Sequence, residues 1–324
     1  MTTRGYGIAR RALAAAMLMA ALAGPAWPQS SGPIKYIVPL PPGGPNDIVA
    51  RLMADQIGKD SGVNLVIENR PGAGTVIGTE AVARAAPDGN TILMAAGSFV
   101  INPQLKKLDY DPLTSFEPIC YLAESPQMIV VPASSPFKTF ADLLAAAKAR
   151  PGELTIAANG PATTQHLQIE ALKHATGMNI VFVPFAGDGP AMNAVLGEQV
   201  SAGALDYATI ASQVQAGKLR VIVVGTAARL PQFPDVQTFA EAGVKDTEWT
   251  GTFGVVAPAH TPQARIDALA GLFSKALLAP ELRQKFAALG LVPKGLCGAD
   301  YAAVLRRLYD SFGRAIKDAN FKVE

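Results

Sequence analysis

The sequence is poor in the residues that enzymes most often use for catalysis. Its 324 residues include three histidines and two cysteines, and neither G-x-S-x-G nor H-E-x-x-H occurs. A Ser–His–Asp triad therefore has no recognisable nucleophile. His166 and His174 stand eight residues apart on one predicted helix, too far apart to bind one metal ion together. We expect no catalytic residues, no metal and no cofactor, and therefore no enzyme.

Charged residues are scarce as well. They make up 17% of the chain, with 28 basic and 26 acidic side chains. Three of the basic residues, Arg4, Arg10 and Arg11, precede an apolar run at 12–23 that leads into small residues near Ala26. This pattern predicts a secretory signal peptide over residues 1–26. A twin-arginine signal is the alternative interpretation of Arg10 and Arg11.

Beyond this segment the chain has almost no net charge. Without the three arginines, 25 basic residues remain against 26 acidic ones. Such a chain lacks the basic surface that nucleic acid requires. No later apolar run is long enough to cross a membrane, and the cleavage region lacks the cysteine that a lipid anchor needs. We therefore expect an exported protein that is free in the periplasm.

Short apolar strands alternate with helical segments along the rest of the chain. This alternation predicts an α/β fold with two open, mostly parallel, doubly wound sheets and helices on both faces. Strands are predicted at 34–38, 65–67, 91–95, 119–122, 128–131, 155–157, 180–183, 220–224 and 253–257, and helices at 47–60, 75–85, from 139, and at 164–175, 190–196, 262–278, 280–289 and 299–319.

The order of these elements repeats, which predicts two lobes. We assign residues 33–131 plus 254–324 to domain 1 and residues 132–253 to domain 2. Two strand crossings, near 128–132 and 253–257, would form the hinge between them.

Three turns rich in glycine and proline lie between a predicted strand and a predicted helix, at 39–47, 158–166 and 183–191. The first amides of a helix have no partner within the helix and lie at the positive end of its dipole. Such turns can hold an anion without a charged side chain when they meet. We expect them to face each other across a cleft between the lobes.

Residues of these turns also have structural interpretations. Thr163 and Thr164 can cap a helix or contact a ligand, and Asp47 complements a helix dipole. We expect Asp188 to face solvent or to cap Ala191, or else to meet a cationic or hydroxyl group of the ligand.

Other features leave alternatives open. The glycine-rich turn at 68–78 predicts a tight turn with close helix packing, or a segment that lines the cleft, rather than a phosphate loop. His166 is expected to be hydrogen-bonded near its helix start or to support the cleft. Cys120 and Cys297 can pair in an oxidising compartment, but the sequence does not decide whether they do. Aromatic residues that belong either to the core or to the walls of the cleft are Phe185, Tyr207, Trp249 and Phe253.

Several short sequence motifs follow each other along almost the whole chain. They are Pro41-Pro42-Gly43-Gly44 with Asp47, Glu68-Asn69-Arg70-Pro71-Gly72-Ala73-Gly74, Pro87-Asp88-Gly89, Val183-Pro184-Phe185 and Ala216-Gly217-Lys218-Leu219-Arg220. On these motifs the chain resembles the tripartite tricarboxylate transporter substrate-binding proteins, the Bug or TctC-like receptors.

The resemblance implies a two-lobed periplasmic binding protein of the type II-like Venus flytrap class. Its lobes would close on a small organic acid and deliver it to the permease subunits of a tripartite transporter, and we expect a monomer. A subunit that presents the ligand to a signalling protein is the alternative, followed by a secreted enzyme acting on carboxylates. The candidate ligand-binding residues are Pro41, Pro42, Gly43, Gly44, Pro45, Asn46, Asp47, Thr75, Ser98, Asn159, Thr163, Thr164, Gln165, His166, Phe185, Ala186, Gly187, Asp188, Gly189 and Asp206.

Some positions depart from the family pattern. Leu40 stands where an aromatic residue is common, Thr75 and Val76 replace a glycine and a polar residue, and Asp188 replaces a small residue. The sequence therefore does not decide whether the ligand is a dicarboxylate, a tricarboxylate, an aromatic acid, an amino acid or an amide of one.

Overall fold

The computed structural model of the chain describes residues 32–244 and 249–322. The predicted signal peptide lies outside the described residues. The compact unit that begins at Pro33 contains all the elements described below. Among the helices of this described part, none is both long and apolar enough to traverse a lipid bilayer.

Lobe 1 contains a sheet of mixed parallel and antiparallel strands. Its strand order is β2 (Leu65–Asn69), β1 (Ile34–Val38), β3 (Thr91–Ala95), β9 (Thr250–Pro258) and β4 (Phe116–Pro132), with β10 (Val292–Cys297) also on β4. The first three strands are parallel, whereas β9 is antiparallel to both β3 and β4. The helices of lobe 1 are α1 (Pro45–Ser61), α2 (Val76–Ala83), α3 (Ser98–Leu105), α8 (Gln263–Leu278), α9 (Pro280–Ala288) and α10 (Ala299–Asp318).

Lobe 2 repeats this arrangement. Strands β6 (Val181–Phe185), β5 (Thr155–Asn159) and β7 (Ala202–Asp206) are parallel neighbours, and β7 and β8 (Leu219–Val224) both pair with β4 in antiparallel orientation. Its helices are α4 (Phe140–Ala149), α5 (Thr164–Thr176), α6 (Asp188–Leu196) and α7 (Tyr207–Gln215).

Strand β4 belongs to both lobes. Residues 116–126 pair with β9 in lobe 1, and residues 127–132 pair with β7 and β8 in lobe 2. The second connection runs through Trp249, whose carbonyl accepts from the Gln127 amide at 3.0 Å and whose amide donates to Gly225. The α/β class and the two-lobed architecture are thus confirmed, and the domain boundaries stay a prediction.

Each lobe has its own apolar core because the helices place one face on the sheets. In α1, Val49, Met53 and Ile57 repeat at helical spacing and are buried against lobe 1, where Tyr36 and Phe273 meet edge to face. A separate cluster fills lobe 2. Burial of each such side chain stabilises the fold by about 1.5–3 kcal/mol.

Several elements differ from the sequence-based prediction. The predicted strands at 119–122 and 128–131 are one strand, β4, because the polar residues between them pair as well. Helix α3, strand β7 with helix α7, and strand β10 were not predicted. Two of these elements contain residues that normally interrupt regular structure, which is why they were not predicted. These residues are Pro103 in α3, and Pro293 and Gly295 in β10.

Local signals account for the elements that the sequence did predict. Thr139 and Asp142 form the expected capping box at the start of α4, and Gly62 ends α1 in the left-handed conformation at φ 72°. The pairing left open from the sequence is present, since Cys120 and Cys297 form a disulfide that links β4 to β10.

Candidate functional site

A small cavity lies between the two lobes. It offers about 30 Å³ to the centres of water molecules, which is room for one or two of them. Its walls come from both lobes and from the strands that join them: Leu40, Pro45, Asn46, Ala96, Gly97, Ser98, Gln127, Asn159, Thr163, Thr164, Gln165, Asp206, Gly251, Thr252 and Phe253.

Three helices begin at this cavity. Asn46, Ser98 and Thr164 each stand in the first turn of a helix, in α1, α3 and α5 respectively, and each lines the cavity. The amides of a first turn have no partner within their helix, and the positive end of the helix dipole lies there. The geometry therefore suits a negatively charged group, with hydrogen-bond donors from both lobes.

A second cavity adjoins the first and shares Leu40, Pro45, Asn46 and Asn159 with it. Its remaining walls are the turn before α1 and the turn before α6, namely Pro41, Pro42, Gly44, Gly187, Asp188, Gly189 and Pro190. The two predicted anion turns thus face each other across this cavity. In the described part of the chain, no lysine, arginine or histidine lines either cavity.

The lobes touch each other around the cavities. A Cβ atom at Gly97 of lobe 1 would collide with the Thr164 hydroxyl of lobe 2, and one at Gly74 would lie 2.9 Å from the Pro161 carbonyl oxygen. A Cβ atom at Gly187 would lie 3.6 Å from the Pro41 ring, which is an ordinary van der Waals contact. The cleft is therefore closed, and the close approach depends on glycines.

The glycine-rich turn at 68–78 contributes to this contact but not to the cavities. It forms a short 3-10 turn, Ala73–Thr75, and the Asn102 side chain donates to the Gly74 carbonyl at 2.6 Å. Neither Gly72 nor Gly74 lines a cavity. These contacts agree with the interpretation as a tight turn with close packing.

Two buried carboxyl groups lie side by side in lobe 2. The Gln165 amide nitrogen donates to Asp188 at 2.9 Å and to Asp206 at 3.1 Å. The Gln127 amide nitrogen also donates to Asp206, at 3.2 Å. Burial raises the pKa of Asp188 to about 6, and burial, followed by the charge of Asp188, raises the pKa of Asp206 well above its usual value.

The position of Asp188 corrects the prediction. It neither faces solvent nor caps Ala191, because it is 1% exposed and its carboxylate turns back toward the end of β7. There it accepts from the Asp206 amide at 3.0 Å. Gly187, at φ 146°, allows the turn that directs the chain this way.

Asp47 is occupied within lobe 1 and lines neither cavity. Its carboxylate accepts from the Gly43 amide at 2.9 Å, from Arg51 at 2.8 Å and from Asn69 at 3.0 Å. Although burial opposes it, these hydrogen bonds lower the pKa of Asp47. Asp47 thus fixes the β1–α1 turn, and the amide of Gly43 is not available to a ligand.

His166 lines neither cavity. Its ring stacks on Phe182 at 4.1 Å and meets Phe321 edge to face at 4.8 Å. Burial lowers the pKa of His166, and its Nδ1 atom has no hydrogen-bond partner among the described residues. The expected hydrogen bond is not made by Nδ1, but the structural role expected of the residue agrees with its packing of α5 against β6 and the C-terminal segment.

The cavities bring together most of the predicted residues and leave six aside. Those that line neither cavity are Gly43, Asp47, Thr75, His166, Phe185 and Ala186. Thr75 supports the site from behind, since its hydroxyl donates to the Ser98 hydroxyl at 3.0 Å. Thr163 caps its helix as predicted, because its hydroxyl accepts from the His166 amide at 3.4 Å. It also lines the cavity, and its contact with a ligand stays a prediction.

Sequence reasoning missed several lining residues. Gly97 follows a predicted strand, and with Ser98 it repeats the strand–turn–helix pattern, but Pro103 hid the helix. Gln127 and Gly251 come from the strands that join the lobes, and no local motif marks such positions. Phe253 forms an apolar wall, as one of its two interpretations required.

Comparisons with known proteins agree with this geometry. The sequence profile of the family described as "Tripartite tricarboxylate transporter family receptor" matches residues 49–321. A protein of Cupriavidus necator, "UPF0065 protein in gbd 5'region", is 35% identical over 304 residues, which cover 92% of each chain.

Solved structures are similar over nearly their whole length. The structure of periplasmic binding protein BugD is 32% identical, with a TM-score of 0.85, covering 90% of this chain and 99% of that one. The R. palustris protein Rpa4515, solved with adipate, is 29% identical with a TM-score of 0.83, covering 91% and 98%.

Proposed function

The chain belongs to the tripartite tricarboxylate transporter receptor family, which comprises periplasmic solute-binding proteins, and on this basis we propose that it captures a small organic carboxylate between its two lobes. Binding alone is the function, without turnover. The ligand favours the closed arrangement over an open one by the difference in its contacts with the two.

The observation that carries this proposal is the convergence of helix starts from opposite lobes on one enclosed space. Helices α1 and α3 of lobe 1 and α5 of lobe 2 begin at the first cavity, and α6 begins at the second. Each helix end contributes only about 0.3–1 kcal/mol toward an anion. Several ends acting together, with direct amide hydrogen bonds, are needed for useful affinity. The adipate in the related Rpa4515 structure is an acid of the proposed class.

The proposal includes the partner and the location. The protein acts as a monomer in the periplasm and hands its ligand to the permease subunits of a tripartite transporter. Uptake of a radiolabelled acid into cells with this permease should require the protein, and adding it back to cells that lack it should restore uptake. Normal uptake without the protein would contradict the transport role and leave ligand capture standing.

A thermal-shift screen of organic acids, followed by calorimetry, tests ligand capture. At a hundredfold excess of ligand over its dissociation constant, binding stabilises the folded chain by about 2.7 kcal/mol, which shifts the melting temperature measurably. A screen of mono-, di- and tricarboxylates, aromatic acids and amino acids in which no compound raises the melting temperature would contradict the proposal.

A further inference from the structure

One wall of the first cavity presents acceptor oxygens that have no donor. Asp206 at the end of β7 and Gln127 in β4 are each 2% exposed, and both line the cavity. Asp206 Oδ1 and Gln127 Oε1 have no hydrogen-bond partner among the residues that the structure describes. Gln127 cannot simply be turned over, because its nitrogen already donates to Asp206 Oδ2 at 3.2 Å. A buried acceptor left unpaired costs about 1–3 kcal/mol.

The same wall holds two acidic side chains, Asp188 and Asp206, which are hydrogen-bonded to each other, and no basic one. Asp188 lies behind Asp206, and Gln165 donates one amide nitrogen to both carboxyl groups. Asp188 has its own acceptor atoms filled by Gln165 and by the Asp206 amide. The Ser125 hydroxyl lies near Asp206, but it has no hydrogen-bond partner of good geometry among the described residues and brings no positive charge.

These observations indicate which chemical groups the ligand must carry. Of the described residues that line the cavities, none is basic, so a positively charged donor can come only from the ligand. A cationic nitrogen at this wall would donate to the free oxygens and favour the ionised form of the acid pair, whereas a second carboxylate would bring only further acceptors and another negative charge.

We propose that the ligand carries a cationic nitrogen besides its carboxylate, and that this nitrogen donates to Asp206 Oδ1 and Gln127 Oε1 while the carboxylate lies at the helix starts of α1, α3 and α5. The protein is then a receptor for amino-bearing acids rather than for plain dicarboxylates. This inference rests on the proposed function, because it describes the second half of the same site.

Matched acids test the inference on the intact mature protein. Calorimetry would compare the three acids within each of three sets, where the acids share one carbon skeleton and differ in one substituent. The sets are aspartate, malate and succinate; alanine, lactate and propionate; and phenylalanine, phenyllactate and phenylpropionate. In every set that binds, the amino acid should bind at least tenfold more tightly than its hydroxy and unsubstituted analogues. Equal or tighter binding of an analogue would overturn the inference.

The two failures can be told apart. If acids of the panel bind without preference for the amino member, ligand capture stands and the inference fails. If no carboxylate binds at all, the proposed function fails with it.

Replacing Asp206 tests whether this wall of the cavity selects the amino group of the ligand. Asp206→Asn keeps the shape and prevents the side chain from ionising beside the ammonium group, so the amino acid should lose at least tenfold in affinity and its preference over the hydroxy analogue should disappear. Asp235→Asn, an exposed aspartate of the same lobe, is the matched control and should change neither. A folded Asp206→Asn protein that retains the preference would contradict the inference. If that variant does not melt cooperatively, the comparison of acids on the unchanged protein decides.

Discussion

Gly97 is the residue on which closure of the cleft depends most directly. It directly precedes α3, with φ −56° and ψ −34°, a conformation that alanine adopts freely. An added Cβ would nevertheless collide with the Thr164 hydroxyl across the cleft. Gly97→Ala should therefore weaken ligand binding at least tenfold, measured by calorimetry, while the melting temperature of the ligand-free protein stays the same.

A matched control is available in the same lobe. Gly271 lies in α8 with no atom within 4 Å of an added Cβ. Gly271→Ala should leave the affinity unchanged and raise stability slightly, since alanine favours helix by up to about 1 kcal/mol. If Gly97→Ala binds as tightly as this control, the contact between Gly97 and Thr164 is not needed for binding.

Asp188 gives the ligand-free protein a recognisable dependence of stability on pH. Burial raises the pKa of Asp188 from 3.8 to about 6, so the folded chain favours the protonated form. The free energy of unfolding should therefore fall as the pH rises from about 4 to above 6, by a few kcal/mol in order of magnitude.

Urea titrations at several pH values check this prediction. Asp188→Asn removes the charge, so its free energy of unfolding should change less over the same pH range. Asp47→Asn is an informative contrast, because the pKa of Asp47 is lowered in the folded chain. The stability that Asp47 adds is present above its unfolded pKa and is lost as the pH falls. Parallel pH curves for Asp188→Asn and the unchanged protein would refute the assignment.

These residues also show what the sequence can reveal at this scale. The turns before α1, α5 and α6 were predicted from strand, glycine and helix signals, and they line the cavities. The direction of Asp47, Asp188 and His166 was not predicted, because it depends on partners such as Asn69, Asp206 and Phe321 that are distant in sequence.

At the scale of single elements, β10 depends on a covalent link. It pairs only with β4 among the described strands, and most of its side chains are exposed. The disulfide between Cys120 and Cys297 joins positions 177 residues apart. Replacing both cysteines by alanine should lower the free energy of unfolding by about 2–5 kcal/mol, as measured in urea.

Ligand affinity provides the control for this element. Neither cysteine lines a cavity, so the double variant should bind its acid with unchanged affinity at a temperature where it is folded. A large loss of affinity without loss of stability would show that β10 acts on the cleft rather than on the fold.

Elements with strong local signals were predicted well, and those shaped by long-range pairing were not. Helix α4 has its capping box and α1 its terminal glycine. Strand β4 could not be predicted as one element, because Glu124, Ser125 and Pro126 look like a loop and become a strand only through their pairing with β9. Strand β7 failed in the same way, since it is rich in alanine and glycine.

For the whole molecule, the closed cleft predicts a change of dimensions on binding. A compact chain of this size has a radius of gyration of about 19 Å. Small-angle X-ray scattering should give this value with saturating ligand and a larger one without it. Gly97→Ala should stay at the larger value under the same conditions. Identical scattering with and without a ligand that calorimetry detects would mean that the lobes do not move.

Strand β4 has a further consequence for anyone who wishes to study the halves separately. A gene fragment for residues 133–249 would encode β5 to β8 without the strand that lies between β7 and β8. Both would then expose unpaired edges, which invite association with other chains. Separate expression of this fragment should thus yield aggregates, whereas a circular permutant that keeps β4 whole would preserve the pairing on which both lobes rely.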